Sequence, residues 1–244
     1  MPDSDANASN AEPLVHLQQV VKHYQSLRPL RVQNLVVGRG DAVALLGFDA
    51  AMAEVLVSLI TAGTLPDEGQ VTVFGRPTSE ITDHASWMTV LDRFGLVSRR
   101  SVLLEQLTAE QNLAIPHTLA VESLSDEVRR TVRELAEEIA LPSDHLPQQL
   151  AALPASSIVR IHLGRALALR PDVLLAEHPN ATLTKPEALA FANDLSVIRR
   201  TRRMATVVVT ADKGFAEAVG DTVLTLHPAT GELRRQSALR RWFG

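Results

Sequence analysis

Hydrophobic residues along the chain fall into short runs bounded by turn residues, and later into segments with the spacing of amphipathic helices. Four runs in the first third of the chain predict strands: residues 14–21, 31–37, 41–47 and 70–74. The third run is apolar from Ala42 to Leu46, as in a strand buried on both faces, and it ends at Gly47. A helix is predicted directly after it at residues 50–61, with Gly63 as its C-cap.

The rest of the chain divides into a helical stretch and a stretch in which helices and strands alternate. The clearest helix of the first stretch spans residues 125–141, and Ser125 is predicted to cap its start. Its apolar face has four residues at helical spacing: Val128, Val132, Leu135 and Ile139. The last third predicts helices at residues 156–169, 186–200 and 213–219 and strands at residues 173–175, 205–210 and 222–226. This alternation predicts a parallel sheet covered on both faces.

The predicted organisation is one α/β domain with a tail at each end. Residues 1–13 are small, polar and acidic, with nothing apolar to bury, and they predict a disordered tail. The domain is predicted at residues 14–232, with an inserted helical subdomain at about residues 100–155. Residues 233–244 form a short basic tail with two aromatic residues, for which a solvated helix end is the simplest interpretation.

Composition and charge exclude several classes of function. The 244-residue chain has 24 Lys and Arg against 28 Asp and Glu, a formal net charge of -4, so no basic field predicts nucleic acid binding. It contains no cysteine, which excludes disulfides and thiolate metal sites. No apolar run approaches the roughly 18–20 residues of a membrane span, and the start lacks a signal-peptide pattern, so we expect a cytoplasmic location. The histidines lack metal-ligand spacing, and no metal site is predicted.

The turn after Gly47 has the setting of a phosphate-binding loop, because a buried strand there leads into a helix whose first free N–H groups can face an anion. A working loop has the pattern G-x-x-x-x-G-K-[ST], in which the lysine binds the β- and γ-phosphates and the hydroxyl binds Mg²⁺. Here the second glycine, the lysine and the hydroxyl residue are replaced by Met52, Ala53 and Glu54. Asp49 adds a further negative charge, and each lost charge-assisted contact costs about 1.5–3 kcal/mol. The sequence therefore predicts a strand and helix packed without a nucleotide.

Three further segments contribute to a family resemblance. Tyr24 follows the first predicted strand, and residues 107–113 have the sequence Leu-Thr-Ala-Glu-Gln-Asn-Leu. Arg160 precedes residues 165–175, which have the sequence Arg-Ala-Leu-Ala-Leu-Arg-Pro-Asp-Val-Leu-Leu. In this order the segments resemble the ATP-binding subunit of an ABC transporter over residues 14–232. The resemblance implies a P-loop NTPase-like ABC ATPase fold, with a parallel-sheet core, an N-terminal antiparallel β portion and an inserted helical subdomain.

The resemblance also assigns family roles to individual positions. Tyr24 stands where the family has the aromatic residue that stacks on adenine, and Arg99 stands where it has the glutamine of the glutamine loop. The family's L-S-G-G-Q signature falls on residues 153–157, which keep only the leucine and include Ser156 and Ser157. The Walker B aspartate, the catalytic glutamate, the D-loop aspartate and the switch histidine of the family fall on Glu177, His178, Thr184 and Ala211.

Five of these positions have a second interpretation that needs no ligand. Tyr24 can stack on adenine or pack as a half-buried residue at a strand end. Glu177 can hold Mg²⁺ through water, but loss of the hydroxyl ligand favours a paired or capping carboxylate. His178 can act as a general base, but without a secured γ-phosphate a hydrogen-bonded histidine is favoured. Ser156 and Ser157 can present N–H groups to an anion across a dimer interface or simply cap a helix.

The resemblance and the altered motifs together predict a non-catalytic subunit, a pseudo-ATPase. Its expected role is that of a structural or regulatory partner of a membrane permease or of a competent ATPase subunit. We expect it to be dimeric, cytoplasmic and peripheral to the inner face of the cell membrane, with no cofactor. Two alternatives stay open: an active ATP-hydrolysing transport subunit, which would use ATP and Mg²⁺, and a soluble regulator derived from the fold. Residues 174–183 are most similar to the lipoprotein-releasing and macrolide-export subfamilies.

Overall fold

The computed structural model describes residues 12–98 and 100–236, which form two β-sheets and seven α-helices. Of the predicted N-terminal tail, residues 1–11 lie outside the described residues. Arg99 and residues 237–244 of the predicted basic tail lie outside them as well. All strands and helices predicted from the sequence fall within the described ranges.

The larger sheet supplies the parallel core of the domain. Its strands, in spatial order, are β10 (Glu232–Arg235), β9 (Thr222–His227), β3 (Ala42–Leu46), β8 (Ala205–Val209), β7 (Val173–Glu177) and β6 (Phe94–Val97). All are parallel except β10, which pairs antiparallel with β9. Every residue of β3 and β8 is buried, as their apolar sequences predict. The domain continues past the predicted boundary at residue 232, because β10 supplies backbone hydrogen bonds to the edge of β9.

The smaller sheet is antiparallel and lies at the N-terminal end of the chain. Its strands, in spatial order, are β2 (Leu30–Val37), β1 (Val15–Lys22), β4 (Glu68–Val73) and β5 (Arg76–Pro77). A bulge interrupts β1, where Gln19 has a φ of 49° and the register with β4 shifts between Gln18 and Val21. This sheet is the antiparallel portion that the resemblance implies.

Seven helices accompany the sheets within the described ranges: α1 (Ala50–Ile60), α2 (His84–Leu91), α3 (Ala109–Ala114), α4 (Asp126–Glu138), α5 (Ala155–Leu167), α6 (Lys185–Arg202) and α7 (Lys213–Val219). Ser125 caps α4 as predicted, since its hydroxyl accepts a 3.3 Å hydrogen bond from the Val128 N–H. The predicted C-cap of α1 is wrong: Thr61 is the C-cap, and Ala62 takes the left-handed conformation with a φ of 55°. Gly63 still contributes, because its N–H binds the Ser58 carbonyl at 2.8 Å.

The larger sheet is covered on both faces. Ala44 and Leu46 of β3 belong to a core cluster with residues of α5, α6 and α7, whereas Val43 and Leu45 belong to a second cluster with α1 and the smaller sheet. This division follows from strand geometry, because successive side chains point to opposite faces. The predicted fold class, an α/β parallel-sheet core with an antiparallel β portion and a helical insertion, is confirmed.

The helical insertion lies between β6 and α5 and contains α3, α4 and two short 3-10 turns. It packs closely on α5 at Gly164, where an added Cβ would lie 2.5 Å from a methyl carbon of Leu113 and 2.8 Å from one of Ile139. A side chain at Gly164 would therefore push the insertion away from α5. This close contact fixes the position of the insertion on α5.

Candidate functional site

The turn from β3 to α1 has the glycine of a phosphate loop but a helix N-terminus that is already capped. Gly47 has a φ of 85°, and a Cβ there would lie 3.0 Å from the Leu226 carbonyl oxygen. Asp49 is the N-cap of α1, and its carboxylate accepts a 2.8 Å hydrogen bond from the Met52 N–H. Free N–H groups of this first turn are the donors with which a helix binds an anion. A carboxylate of the chain itself therefore takes one donor that a phosphate would use.

The three altered positions of the phosphate loop point in different directions on α1. Ala53 is fully buried in the core cluster beneath the smaller sheet, and Met52 is partly buried against the same cluster. Glu54 faces outward, with 54% of its side chain exposed. The position from which a phosphate-loop lysine would extend is thus occupied by a methyl group that belongs to the core.

A cleft of about 430 Å³ opens beside the start of α1. It is lined by residues at or just after the ends of four parallel strands and by residues of α1: Phe48, Asp49, Ala50, Glu54, Ser98, Arg100, Glu177, His178, Ala181 and Ala211. Four family positions identified from the sequence therefore lie together: Glu54, Glu177, His178 and Ala211. The carboxyl ends of parallel strands are where open α/β sheets bind their ligands.

Arg100 crosses this cleft and joins two of its carboxylates, a contact that we call the Arg100 bridge (Arg100, Glu54 and Glu177). One guanidinium nitrogen lies 3.1 Å from Glu54 Oε1, and another binds Glu177 Oε1. The Ser98 hydroxyl donates a 3.1 Å hydrogen bond to the second oxygen of Glu177. Glu177 is only 10% exposed, whereas Arg100 is 44% exposed. Glu177 is therefore a paired carboxylate, which was one of its two interpretations.

Sequence reasoning missed Arg100 and Ser98. Counting back from residues 107–113 placed Arg99 at the glutamine position, and Arg99 lies outside the described residues. Its neighbour Arg100 is the described arginine in the cleft. The available signal was the pair of consecutive arginines after β6, but motif counting in a loop does not decide which of two neighbours enters a site.

His178 differs from the hydrogen-bonded histidine that the sequence favours. Its Nε2 is buried and has no hydrogen-bond partner among the described residues. The backbone explains the position, since the His178 N–H binds the Val209 carbonyl at 2.8 Å and its φ is 45°. A left-handed backbone directly after β7 ends the strand and leaves the imidazole at the cleft with its ring nitrogen unpaired.

Tyr24 lies in a neighbouring cleft of about 430 Å³ that shares Glu54 with the first. The tyrosine is partly buried and packs against the core cluster that contains α1. Val55 and Ser58 of α1 line the same cleft. The packing interpretation of Tyr24 therefore describes its surroundings, while part of the ring stays open to solvent.

The capping interpretation of Ser156 and Ser157 is wrong. Helix α5 begins at Ala155, its N-cap is Pro154, and no side chain caps it. Ser157 is 2% exposed, and its hydroxyl lies 2.8 Å from His145 Nδ1, so it contacts the helical insertion instead.

Thr184, at the D-loop position, begins a helix. It is the N-cap of α6 and forms a capping box with Glu187. The hydrogen bond from the Thr184 hydroxyl is the main reason that the pKa of Glu187 lies below its usual value, and Ser156 contributes in the same direction. The contact between Ser156 and Glu187 joins the start of α5 to the start of α6.

The described residues contain neither a metal cluster nor a membrane-spanning helix. No group of three or more His, Asp or Glu side chains there is arranged to hold a metal ion. No helix in the same part of the chain combines the length and the apolar character needed to cross a membrane.

The fold and the cleft define an α/β domain of the phosphate-loop class with a helical insertion. The ABC transporter family model matches residues 30–181, and the chain belongs to this family as an ATP-binding subunit. It is 31% identical to the lipoprotein-releasing system ATP-binding protein LolD 2 of Caulobacter vibrioides, over 92% of this chain and 99% of that protein. It is 29% identical to the macrolide export ATP-binding/permease protein MacB 1 of Aeromonas hydrophila, over 84% of this chain and 32% of that protein.

Solved structures agree on the fold. A bacterial ABC transporter cassette whose structure is dimeric superposes with a TM-score of 0.76 at 22% identity, over 91% of this chain and 98% of that one. The predicted family and fold are therefore confirmed.

Proposed function

We propose that this chain is a non-catalytic ATP-binding-type subunit of an ABC transporter. It acts as a structural or regulatory partner of a membrane permease or of a competent ATPase subunit. Its relatives are named for lipoprotein release and macrolide export, which supports a transport role. A dimeric relative of the same fold supports pairing.

The charge of the cleft is the observation that supports loss of catalysis best. Its lining contains three carboxylates, Asp49, Glu54 and Glu177, and one guanidinium, Arg100, a formal sum of -2 with His178 neutral. The guanidinium is already paired with two of the carboxylates. Phosphoryl transfer depends on cations that neutralise the phosphate oxygens and position the nucleophile. Among the described residues lining this cleft, none supplies a cation free for that task.

The expected loss of nucleotide affinity is large enough to support this proposal. The lysine contact and the metal-binding hydroxyl are both replaced, and each such contact contributes about 1.5–3 kcal/mol. Two together weaken nucleotide binding by at least about a hundredfold, since every 1.4 kcal/mol is about a factor of ten. The Asp49 carboxylate at the helix N-terminus repels the phosphates and weakens nucleotide binding further.

An active ATPase is the second candidate. It is favoured by the names of the relatives, which are ATP-binding proteins, and by the unpaired Nε2 of His178 at the cleft. A neutral imidazole near a bound γ-phosphate can accept a proton from an attacking water. This candidate still requires that MgATP bind where Glu54 and Asp49 lie.

Calorimetric titration of MgATP into the purified protein, together with a phosphate-release assay, tests the proposal. We expect no saturable binding up to about 1 mM ATP and no phosphate above a protein-free blank. The matched variant Ala53→Lys/Glu54→Ser restores the lysine and the hydroxyl and should bind more tightly than the wild type. Micromolar binding by the wild type that is lost in Tyr24→Ala, or hydrolysis lost in His178→Ala, would overturn the proposal.

Co-purification separates the transport subunit from the soluble regulator. The chain is expressed with a tag, and the membranes are solubilised in mild detergent. Recovery of a permease with the tagged chain supports the transport role, whereas a chain recovered alone from the soluble fraction favours the regulator.

A further inference from the structure

The Arg100 bridge adds a polar contact at the cleft to the apolar packing that already joins the insertion to the parallel sheet. Arg100 is in the loop that leaves β6 and leads into the helical insertion, residues 100–107. Glu54 belongs to α1 and Glu177 ends β7, so both carboxylates belong to the core. Their sequence separations from Arg100 are 46 and 77 residues. The bridge is therefore a tertiary contact between the loop and the cleft.

The two halves of the bridge differ in strength. Glu177 is 10% exposed and also accepts a hydrogen bond from Ser98, so removing its partner would leave a nearly buried carboxylate without a counter-charge. Glu54 is 54% exposed, and an ion pair at that exposure contributes little. The contact with Glu177 consequently dominates, and it ties the loop to the end of β7.

The remainder of the loop is held to the insertion and to α5. Leu104 exchanges two hydrogen bonds with the amide of the fully buried Asn112, at 2.9 Å and 3.0 Å. The Val102 carbonyl accepts a 2.6 Å hydrogen bond from Arg165. Because these hydrogen bonds already hold the later part of the 100–107 loop, a contact at the start of the loop restrains the whole segment. Arg100 supplies that second restraint at the cleft.

We propose that the Arg100 bridge is a permanent internal tie, which holds the 100–107 loop and the start of the helical insertion against the cleft without any ligand. The guanidinium performs the charge neutralisation at Glu177 that a bound cation would otherwise supply. The inference rests on the proposed function in one respect, namely that no nucleotide competes for the cleft. It predicts that the insertion keeps one arrangement whether or not ATP is present.

Hydrogen exchange measured by mass spectrometry on the full chain tests the tie. In Arg100→Gln we expect the amides of residues 100–107 to exchange about tenfold faster than in the wild type, because the loop opens locally. Arg129→Gln is the matched control, since Arg129 is similarly exposed at 40% and binds Glu110 at 3.0 Å within the insertion. The control should leave exchange of the loop unchanged. Equal exchange of the loop in wild type and Arg100→Gln would overturn the proposal.

Two further variants keep the test decisive. Glu177→Gln should accelerate the same amides, and the double variant with Arg100→Gln should add nothing further, because both changes remove one interaction. Additive effects would count against the bridge. Should Arg100→Gln not fold, Arg100→Lys keeps a cation without the planar fork and is expected to accelerate the loop to a smaller extent. Unchanged exchange in both Arg100→Lys and Glu177→Gln would also contradict the proposal.

Adding MgATP to the wild type in the same experiment separates the two proposals. Unaltered exchange at residues 100–107 is expected. New protection around Gly47 with tight binding would overturn the proposed function, whereas slow loop exchange that is insensitive to Arg100→Gln would overturn only the internal tie.

Discussion

The two sides of helix α1 have different surroundings, although they come from the same short segment. On the inner side Ala53 and Leu56 are fully buried and pack with the strands of both sheets. On the outer side Asp49 and Glu54 face a cleft in which the family pattern would place a phosphate and a metal ion. The helix therefore packs through residues that do not face the cleft, and Ala53, at the position of the phosphate-loop lysine, belongs to this packed side.

The largest expected effect concerns the apolar core, which is represented here by a residue of α6. Phe191 of α6 is 2% exposed, and its ring stacks with that of Phe215 at a centroid distance of 6.4 Å. Phe191→Ala should lower the free energy of unfolding by about 3–5 kcal/mol, since it removes buried area and leaves a cavity. Urea unfolding followed by circular dichroism measures this. A loss below about 1 kcal/mol would show that the framework is less tightly packed than its burial implies.

The next effect depends on pH and concerns a polar residue within the framework. Burial lowers the pKa of His162 from its usual 6.5 to about 4, and the positive charge of Arg165 acts in the same direction. At pH 5 the unfolded chain binds a proton on this histidine and the folded chain does not, so stability falls as the pH drops from about 6.5 toward 4.

Unfolding of wild type and His162→Gln at pH 7 and pH 5 measures this contribution. We expect the wild type to lose about 2 kcal/mol more than the variant between these two pH values. Equal losses would mean that His162 titrates normally and that its surroundings are wetter than its burial indicates.

A smaller effect is expected on the polar side, at the Arg100 bridge. Arg100→Ala should lower the free energy of unfolding by about 1–2 kcal/mol, a value reduced from that of a fully buried pair because the guanidinium is partly exposed. The corresponding loss for Arg129→Ala should be below about 1 kcal/mol. Thermal unfolding of both variants checks the order. A larger loss for Arg129→Ala would reverse the ranking of the two ion pairs.

The smallest effect concerns the cap of α1. Asp49→Ala removes the bond to the Met52 N–H and should cost about 1 kcal/mol, while Asp49→Asn keeps a capping oxygen and should change stability by only a few tenths. Neither variant should bind MgATP, since the lysine and the hydroxyl remain absent. Chemical unfolding and calorimetry are the measurements. Tight MgATP binding by Asp49→Asn would show that the capping carboxylate alone blocks the site.

Much of the fold could be predicted from the sequence because it depends on local patterns. The uninterrupted apolar run of β3 predicted a buried strand, and Ser125 before an acidic first turn predicted the start of α4. Helix α7 was predicted with the residues that the structure gives, Lys213–Val219. In each case the signal lies within a few consecutive residues.

The candidate site was predictable only in part. The positions of Glu54, Glu177 and His178 at one cleft followed from the family order of segments, whereas the pairing of Ser157 with His145 did not. The capping role expected for Ser157 was wrong because the N-cap of α5 is Pro154, so Ser157 lies inside the first turn of the helix. Such contacts depend on how the insertion packs against α5, and neither the sequence of the insertion nor that of α5 predicts this packing by itself.

The sequence by itself determined the alternation of strands and helices, the apolar core and the loss of the phosphate-loop lysine at Ala53, because burial pattern and residue type act locally. Only the tertiary structure decided that Arg100 reaches Glu177, that Asp49 caps the helix where a phosphate would bind, and that Nε2 of His178 has no partner among the described residues. These features depend on side chains brought together from distant segments, and their geometry is fixed by the packing of the sheet and the insertion around them.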